Sequence, residues 1–207
     1  VIAGGMQTVF VTGCCRNGAA EPVPSARKSF CEETMASRDQ DLFDLTGKVV
    51  LAAGGAGAIG AAMARATAVY GAKVAIADRT VDACEAVAAT LSASGCEAMG
   101  VGLNVLDPDS VAAAVTAVEA ALGPVDVLIN TVGTHIEQPA QDLTLEAWDT
   151  VLNVNLRGAF VLSQAVARAM IASGRHGSHI HVTSVRSTLG IHRGYAAYVA
   201  SKGGLGI

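Results

Sequence analysis

The chain has 207 residues, 51% of them hydrophobic and 15% charged, with a net charge of -4 and a mean hydropathy of +0.43. That length fits one substantial core, and the acidic balance without a run of Lys or Arg excludes a sequence-independent grip on nucleic acid. The longest uncharged stretch, Val49 to Ala64, is broken by four glycines and is too short to span a bilayer, so no membrane partner is expected.

Residues 1 to 40 contain three of the five cysteines, Pro22, Pro24, clustered charges and no sustained period. They read as an irregular extension before a domain covering 41 to 207. Met35 reads as the natural start, with an extension without a fold before it. Val11-Thr12-Gly13-Cys14 superficially resembles a lipoprotein cleavage box, but the basic segment and long apolar run of such a leader are missing.

From Lys48 strands and helices alternate. A strand over 49–53 leads to a helix over 58–70 closed by Gly71, and a strand over 73–77 leads to a helix over 81–93 closed by Gly95. A third strand near 98–103 is followed by Asp107-Pro108, a cap with proline at the first helical position, and by a helix over 109–122 that ends at Gly123-Pro124. The fourth strand, 125–130, is almost wholly apolar, as a strand covered on both faces should be. A long helix over 144–173, broken near Asn155, a strand over 179–183 and a helix from Gly194 onward complete the series. The pattern predicts an α/β fold, a Rossmann-type doubly wound parallel sheet with helices on both faces.

No metal is expected. Cys14, Cys15, Cys31, Cys84 and Cys96 lack metal-ligand spacing, and their odd number suits a reducing cytoplasm better than a disulfide framework. His179 and His181 share a strand face without a third ligand in fixed relation.

Between the first strand and its helix, Gly55, Gly57 and Gly60 fit the G-x-G-x-x-G spacing, which makes a tight turn, admits a pyrophosphate and packs helix on strand. The second strand ends in Asp78, eighteen positions after Gly60, close to where this fold places a ribose-binding acid. Near the other end, Tyr198 and Lys202 share a helix face. A fixed ammonium near a phenol favours the phenolate, which suits acid/base work near neutral pH.

Together, the Gly54-to-Gly60 turn, Asn130-x-x-Gly133, Val154-Asn155-Leu156, Ser184 and Tyr198-x-x-x-Lys202 resemble, in order and spacing, the classical short-chain dehydrogenases/reductases. The resemblance runs from about Leu42 to the last residue. It implies hydride transfer between a nicotinamide and a secondary alcohol or ketone. By position, Tyr198 would be the acid/base, and Lys202 would lower its pKa and hold the nicotinamide ribose. Ser184 would bond the substrate oxygen, with Ser187 as its competitor, and Asn155 would anchor a relay water. Gly54, Gly55, Gly57, Ala58, Ile59, Gly60, Asp78, Arg79, Asn104, Val105, Asn130 and Gly133, with Tyr198 and Lys202, would make up the cofactor site. Asp78 favours NAD over NADP by repelling a 2′-phosphate, and Arg79 is the counterweight.

Ala58, Ala53, Asn104 and Thr131 depart from the family pattern, in which Gly, Thr, Asp and Asn are usual at the corresponding places. Leu42-Phe-Asp-Leu-Thr-Gly-Lys48 and Ser184 to Gly190 look like members acting on sugar acids, such as gluconate 5-dehydrogenases, with Arg186 or Arg193 meeting a carboxylate. A 3-oxoacyl-carrier-protein reductase and a non-catalytic NAD-binding fragment are the alternatives. The resemblance further implies a homo-oligomer, dimer or tetramer. It also implies a chain lacking the C-terminal strand or strands of the family, with its fifth strand left as an open edge.

Overall fold

A computed structural model describes residues 42–190 and 194–206, together with the backbone of 9–13. Six strands form one sheet: β1 (Val9–Gly13), β2 (Val49–Ala53), β3 (Lys73–Asp78), β4 (Ala98–Gly102), β5 (Val127–Asn130) and β6 (Ser178–Val182). Their spatial order is β1-β6-β5-β2-β3-β4. All neighbours among β2 to β6 are parallel, while β1 runs antiparallel to β6. The helices are α1 (Ala58–Val69), α2 (Val81–Ala93), α3 (Pro108–Leu122), α4 (Leu145–Leu152), α5 (Gly158–Ala172) and α6 (Ala196–Leu205).

Side-chain alternation along the central strands divides the core into two layers. Val50, Ala52, Val74 and Ile76 pack with Ala64 and Ala68 of α1 and with Cys84, Ala88 and Leu91 of α2. Val49, Leu51, Ala75 and Leu128 face the other way, onto Val111, Val115 and Val118 of α3 and Leu162, Val166 and Met170 of α5. Small residues on α1 let that helix lie close to the sheet. This is the parallel, doubly covered sheet that the sequence predicts.

Two features depart from the sequence-based expectation, and one expected break is found. Val125 and Asp126 precede β5 instead of opening it. The Asp126 carboxylate accepts the Val49 N–H at 3.0 Å and the Arg175 guanidinium at 3.1 Å, while the Asp126 N–H donates to Val49 O at 2.9 Å. The long helix breaks near Asn155 as expected, into two helices joined by a π turn, Asn153–Arg157. And within the segment read as irregular, Val9–Gly13 forms a strand that covers the edge of β6, which was expected to stay open. Val-Phe-Val-Thr favours extended backbone, and an edge strand offers unpaired N–H and C=O groups to such a segment. Five residues are too few to show a period. Met35, Cys14, Cys15 and Cys31 lie outside the described residues. Among the described residues no helix is long and apolar enough to cross a membrane.

Candidate active site

The turn after β2 is built from close approaches. Gly54 has φ +74°, and a β-carbon there would come within 2.5 Å of Thr131 Oγ1, so the position needs glycine twice over. A β-carbon on Gly55 would lie 2.5 Å from Ala52 O, and one on Gly60 would run into the Gly54 carbonyl. Gly57, by contrast, has an ordinary φ of -75° and precedes the first residue of α1. The turning glycine is therefore Gly54, one position ahead of the G-x-G-x-x-G spacing, while Gly55 and Gly60 serve packing. Gly57, Ala58 and Ile59 are exposed at the start of α1.

No side chain caps α1 and no acid lies in its first turn. The first intrahelical bond is Ala61 N–H to Gly57 O at 2.8 Å, which leaves the preceding N–H groups pointing out of the helix end. Such an end attracts an anion. Ala58 lies at the exposed helix start, so its methyl does not crowd the glycine turn.

A cleft of about 370 Å³ opens over the C-terminal ends of the strands. Gly54, Gly57, Asp78, Arg79, Asn104, Val105 and Gly133 all line it. The Asp78 carboxylate accepts the Arg79 N–H at 2.7 Å. Asn104 Oδ1 accepts the Leu106 N–H at 3.1 Å, and Ser110 Oγ accepts the Asn104 N–H at 3.0 Å, which fixes the loop after β4. Val105 is buried and explains Gly158, where a β-carbon would lie 2.7 Å from Val105 Cγ2.

Asn130 is held differently from the expectation. It lines neither this cleft nor the cavity beside it. Its Oδ1 accepts the Val132 N–H at 3.1 Å, which orients the amide so that Nδ2 faces His181 Nδ1, 3.1 Å away across β5 and β6. That nitrogen must then be the acceptor, so the ring proton sits on Nε2 and faces Ser163 Oγ at 3.1 Å. Burial, with smaller contributions from His179 and Lys202, holds His181 below the ordinary histidine range. Asn130 thus shapes the loop, and His181 is a neutral strut.

That loop, Thr131 to His135, runs from the cleft into a second cavity of about 240 Å³, and Thr131, Gly133 and Thr134 line both. Tyr198, Lys202, Ile59 and His135 line the second. Thr131 Oγ1 donates within reach of Ala53 O at 2.9 Å and Gly54 O at 3.1 Å, tying the loop to the glycine turn. Asn155 holds the loop from the other side. Its Oδ1 accepts the Thr134 N–H at 2.7 Å, and its Nδ2 donates to Thr134 O at 2.9 Å and Ser201 Oγ at 3.0 Å. Ser201 Oγ in turn donates to Tyr198 O at 2.8 Å. Asn155 is fully buried in the π turn, and its side chain spends both amide hydrogens on this clamp.

Tyr198 and Lys202 lie on one face of α6, with Nζ 6.0 Å from the Tyr198 ring centroid. Lys202 is 4% exposed, and its Nζ donates to Val182 O at 2.9 Å. Burial pushes its pKa down to about 8. Gly133 lies beside the ammonium, since a β-carbon there would be 3.5 Å from Nζ, and both residues line the second cavity. Ser184 is buried just beyond β6, with Oγ accepting the Arg186 N–H at 3.2 Å. Ser187 donates its hydroxyl to Ser184 O at 2.6 Å, so of the two serines it is Ser187 whose proton is committed. Arg186 lines neither cavity, and Arg193 lies outside the described residues.

Ser201 and His135 lie outside the motifs that the sequence offers. Ser201 carries a signal: it lies three positions after Tyr198 and so on the same helix face. His135 carries none, as a histidine in a polar loop. Among the described residues no group of three His, Cys, Asp or Glu could hold a metal.

Residues 48–206 match the family model described as short chain dehydrogenase. The chain is 39% identical over 163 residues to a D-threitol dehydrogenase of Mycolicibacterium smegmatis, covering 79% of this chain and 62% of that protein. It is 36% identical over 163 residues to a gluconate 5-dehydrogenase of Gluconobacter oxydans, covering 79% and 63%. The crystal structure of a gluconate 5-dehydrogenase from Burkholderia cenocepacia, in complex with NADP and tartrate, superposes with a TM-score of 0.74 at 34% identity, over 81% of this chain and 65% of that one. The chain thus spans a little under two thirds of the length of these relatives. On the glycine turn, the strand-end cleft and a family match that runs through Tyr198 and Lys202, the chain belongs to the short-chain dehydrogenase family.

Proposed function

We propose that the chain carries the cofactor and proton-transfer site of an oxidoreductase that moves a hydride between NAD and a secondary alcohol or ketone of a small polar molecule, a polyol or sugar acid. The observation that carries this reading is the shared wall of the two cavities: the loop that borders the Asp78 cleft also borders Tyr198 and Lys202. A dinucleotide along the cleft would bring its reactive end to the tyrosine.

The residues present fit a nicotinamide dinucleotide. The uncapped α1 start would take the pyrophosphate, Asp78 the adenine ribose hydroxyls, and Lys202 the second ribose. The bound nicotinamide supplies or accepts the hydride. The protein does the rest. Tyr198 passes a proton to the substrate oxygen in reduction and takes it in oxidation, Ser184 donates a hydrogen bond to that oxygen as charge develops, and the Asn155 clamp keeps the loop from closing over the tyrosine. The polar Thr131, Thr134 and His135 in the wall favour a hydroxylated substrate over an acyl chain.

NAD is preferred because a 2′-phosphate would meet the Asp78 carboxylate. The similar Burkholderia enzyme was crystallised with NADP, so the cofactor choice here rests on that one carboxylate against Arg79. Calorimetric titration tests it: NAD binds the native chain more tightly than NADP, and Asp78→Ser, which leaves Arg79 free to pair a phosphate, raises NADP affinity by at least about tenfold. Equal binding of both dinucleotides by the native chain would refute the preference, and binding of neither would refute the site.

Cysteine usage supports a cytoplasmic protein, and exposed Phe160 and Ile171 on α5 support a homo-oligomeric contact.

A further inference from the structure

His135 is half-buried, and its Nδ1 and Nε2 are, among the described residues, the buried side-chain polar atoms that meet no hydrogen-bond partner. Buried imidazole nitrogens are ordinarily bonded. The ring is not loosely placed. It stacks on Tyr195 with centroids 4.1 Å apart and planes 11° apart, and it meets the Tyr198 ring edge-on at 5.3 Å and 71°. Its loop is clamped on one side by the paired bonds from Asn155 to Thr134 and on the other by the Gln138 N–H to Gly194 O bond of 3.2 Å. His135 also lines the cavity that holds Tyr198 and Lys202.

We propose that His135 is a specificity residue that hydrogen-bonds a second oxygen of the substrate, on the carbon next to the reacting one. The inference rests on the oxidoreductase reading and deepens it, because it names what the substrate must carry. With the reacting oxygen at the Tyr198 phenol, the imidazole, whose centroid lies 5.3 Å from that ring's, flanks the substituent of a neighbouring carbon, and a small turn of the ring into the cavity presents a nitrogen to it. A neutral imidazole offers one donor and one acceptor. A hydroxyl satisfies either and a carboxylate oxygen satisfies the donor, so the favoured class is vicinal diols, α-hydroxyketones and 2-oxygenated acids. A ligand lacking that oxygen leaves the nitrogens unpaired, and sites of this kind discriminate strongly against the missing group.

The test compares acetoin with 2-butanone, which differ only in the neighbouring hydroxyl, as ketone substrates of the 207-residue chain with NADH. The native chain favours acetoin in kcat/KM by about tenfold or more. His135→Phe preserves the ring stack on Tyr195 and removes both nitrogens, and the ratio falls toward one. His135→Gln, which retains a donor and an acceptor, keeps part of the preference. A ratio that His135→Phe leaves untouched overturns the proposal, as does an equal loss on both ketones. A folded chain inactive on both ketones would count against the oxidoreductase reading instead. In that case the ¹⁵N resonances of the His135 ring decide the inference alone: a shift on adding 2,3-butanediol but not 2-butanol upholds it, and no shift with either overturns it.

Discussion

Replacing Lys202 by methionine should make the protein more stable while removing the activity proposed for it. The ammonium is 4% exposed and its pKa falls from 10.5 to about 8 through burial. At ~1.4 kcal/mol per pH unit, holding that charge inside the fold costs about 3 kcal/mol. The sign follows from proton counting. Between pH 8 and 10.5 the unfolded chain binds the proton and the folded chain does not, so stability rises with pH across that window and the cost is present in full below pH 8. Methionine keeps the length and apolar stem of lysine but loses the Nζ bond to Val182 O, which returns about 1 kcal/mol. The balance is a gain of about 2 kcal/mol at pH 7, or roughly 4–8 °C in Tm for a chain of this size. Calorimetric scans of both proteins without nucleotide, at pH 7 and pH 10, measure it. The variant melts higher at pH 7, and its advantage shrinks at pH 10. A variant that melts lower at pH 7, or one whose advantage is the same at both values, would refute the reasoning. On the proposed function the same cost would be recovered when a ligand pairs with the ammonium, the usual trade of stability for function.

Two further substitutions test the parts that hold the site. Gly60→Ala drives a methyl into the Gly54 carbonyl, so the glycine turn must shift; stability falls by about 1–3 kcal/mol and NAD affinity by at least about tenfold in calorimetry, whereas unchanged affinity would mean the turn absorbs the methyl. Ser201→Ala takes away the acceptor of the Asn155 amide and its link to Tyr198 O. Denaturant unfolding should show a loss of about 1–2 kcal/mol, and kcat should drop more than nucleotide affinity. An equal loss in both would place Ser201 in the fold alone.

What could be read from the sequence was local in the chain. Gly71, Gly95 and Gly123, with φ of +90°, +87° and +101°, end their helices because only glycine takes that conformation without strain, and each is legible in the sequence as a stop. The apolar runs of β2, β3 and β5 and the four-residue spacing of Tyr198 and Lys202 are equally local. The corrections all come from contacts between distant segments. Nothing near Asn130 announces His181, 51 positions away, and nothing near Asp126 announces Val49, 77 positions away. The glycine turn shows the same limit: spacing picks out Gly55, Gly57 and Gly60, but the left-handed residue is Gly54, where Thr131, 77 positions away, also leaves no room for a side chain.

Asn155 joins the two kinds of information. An asparagine among apolar helical residues is visible in the sequence as an irregularity, and the structure gives the cause. A regular helix would carry the residues after 152 around at one step of rotation per residue; the π turn takes up one extra residue and lets Asn155 face inward while α5 still presents Leu162, Val166 and Met170 to the sheet. Facing inward, its one amide group fixes both backbone polar groups of Thr134 and, through Ser201, the turn of helix that carries Tyr198. The strand-end loop and the tyrosine are therefore positioned by the same side chain. Loss of that amide should disturb the cleft wall and the placement of Tyr198 together, which a residue serving only one of them could not do.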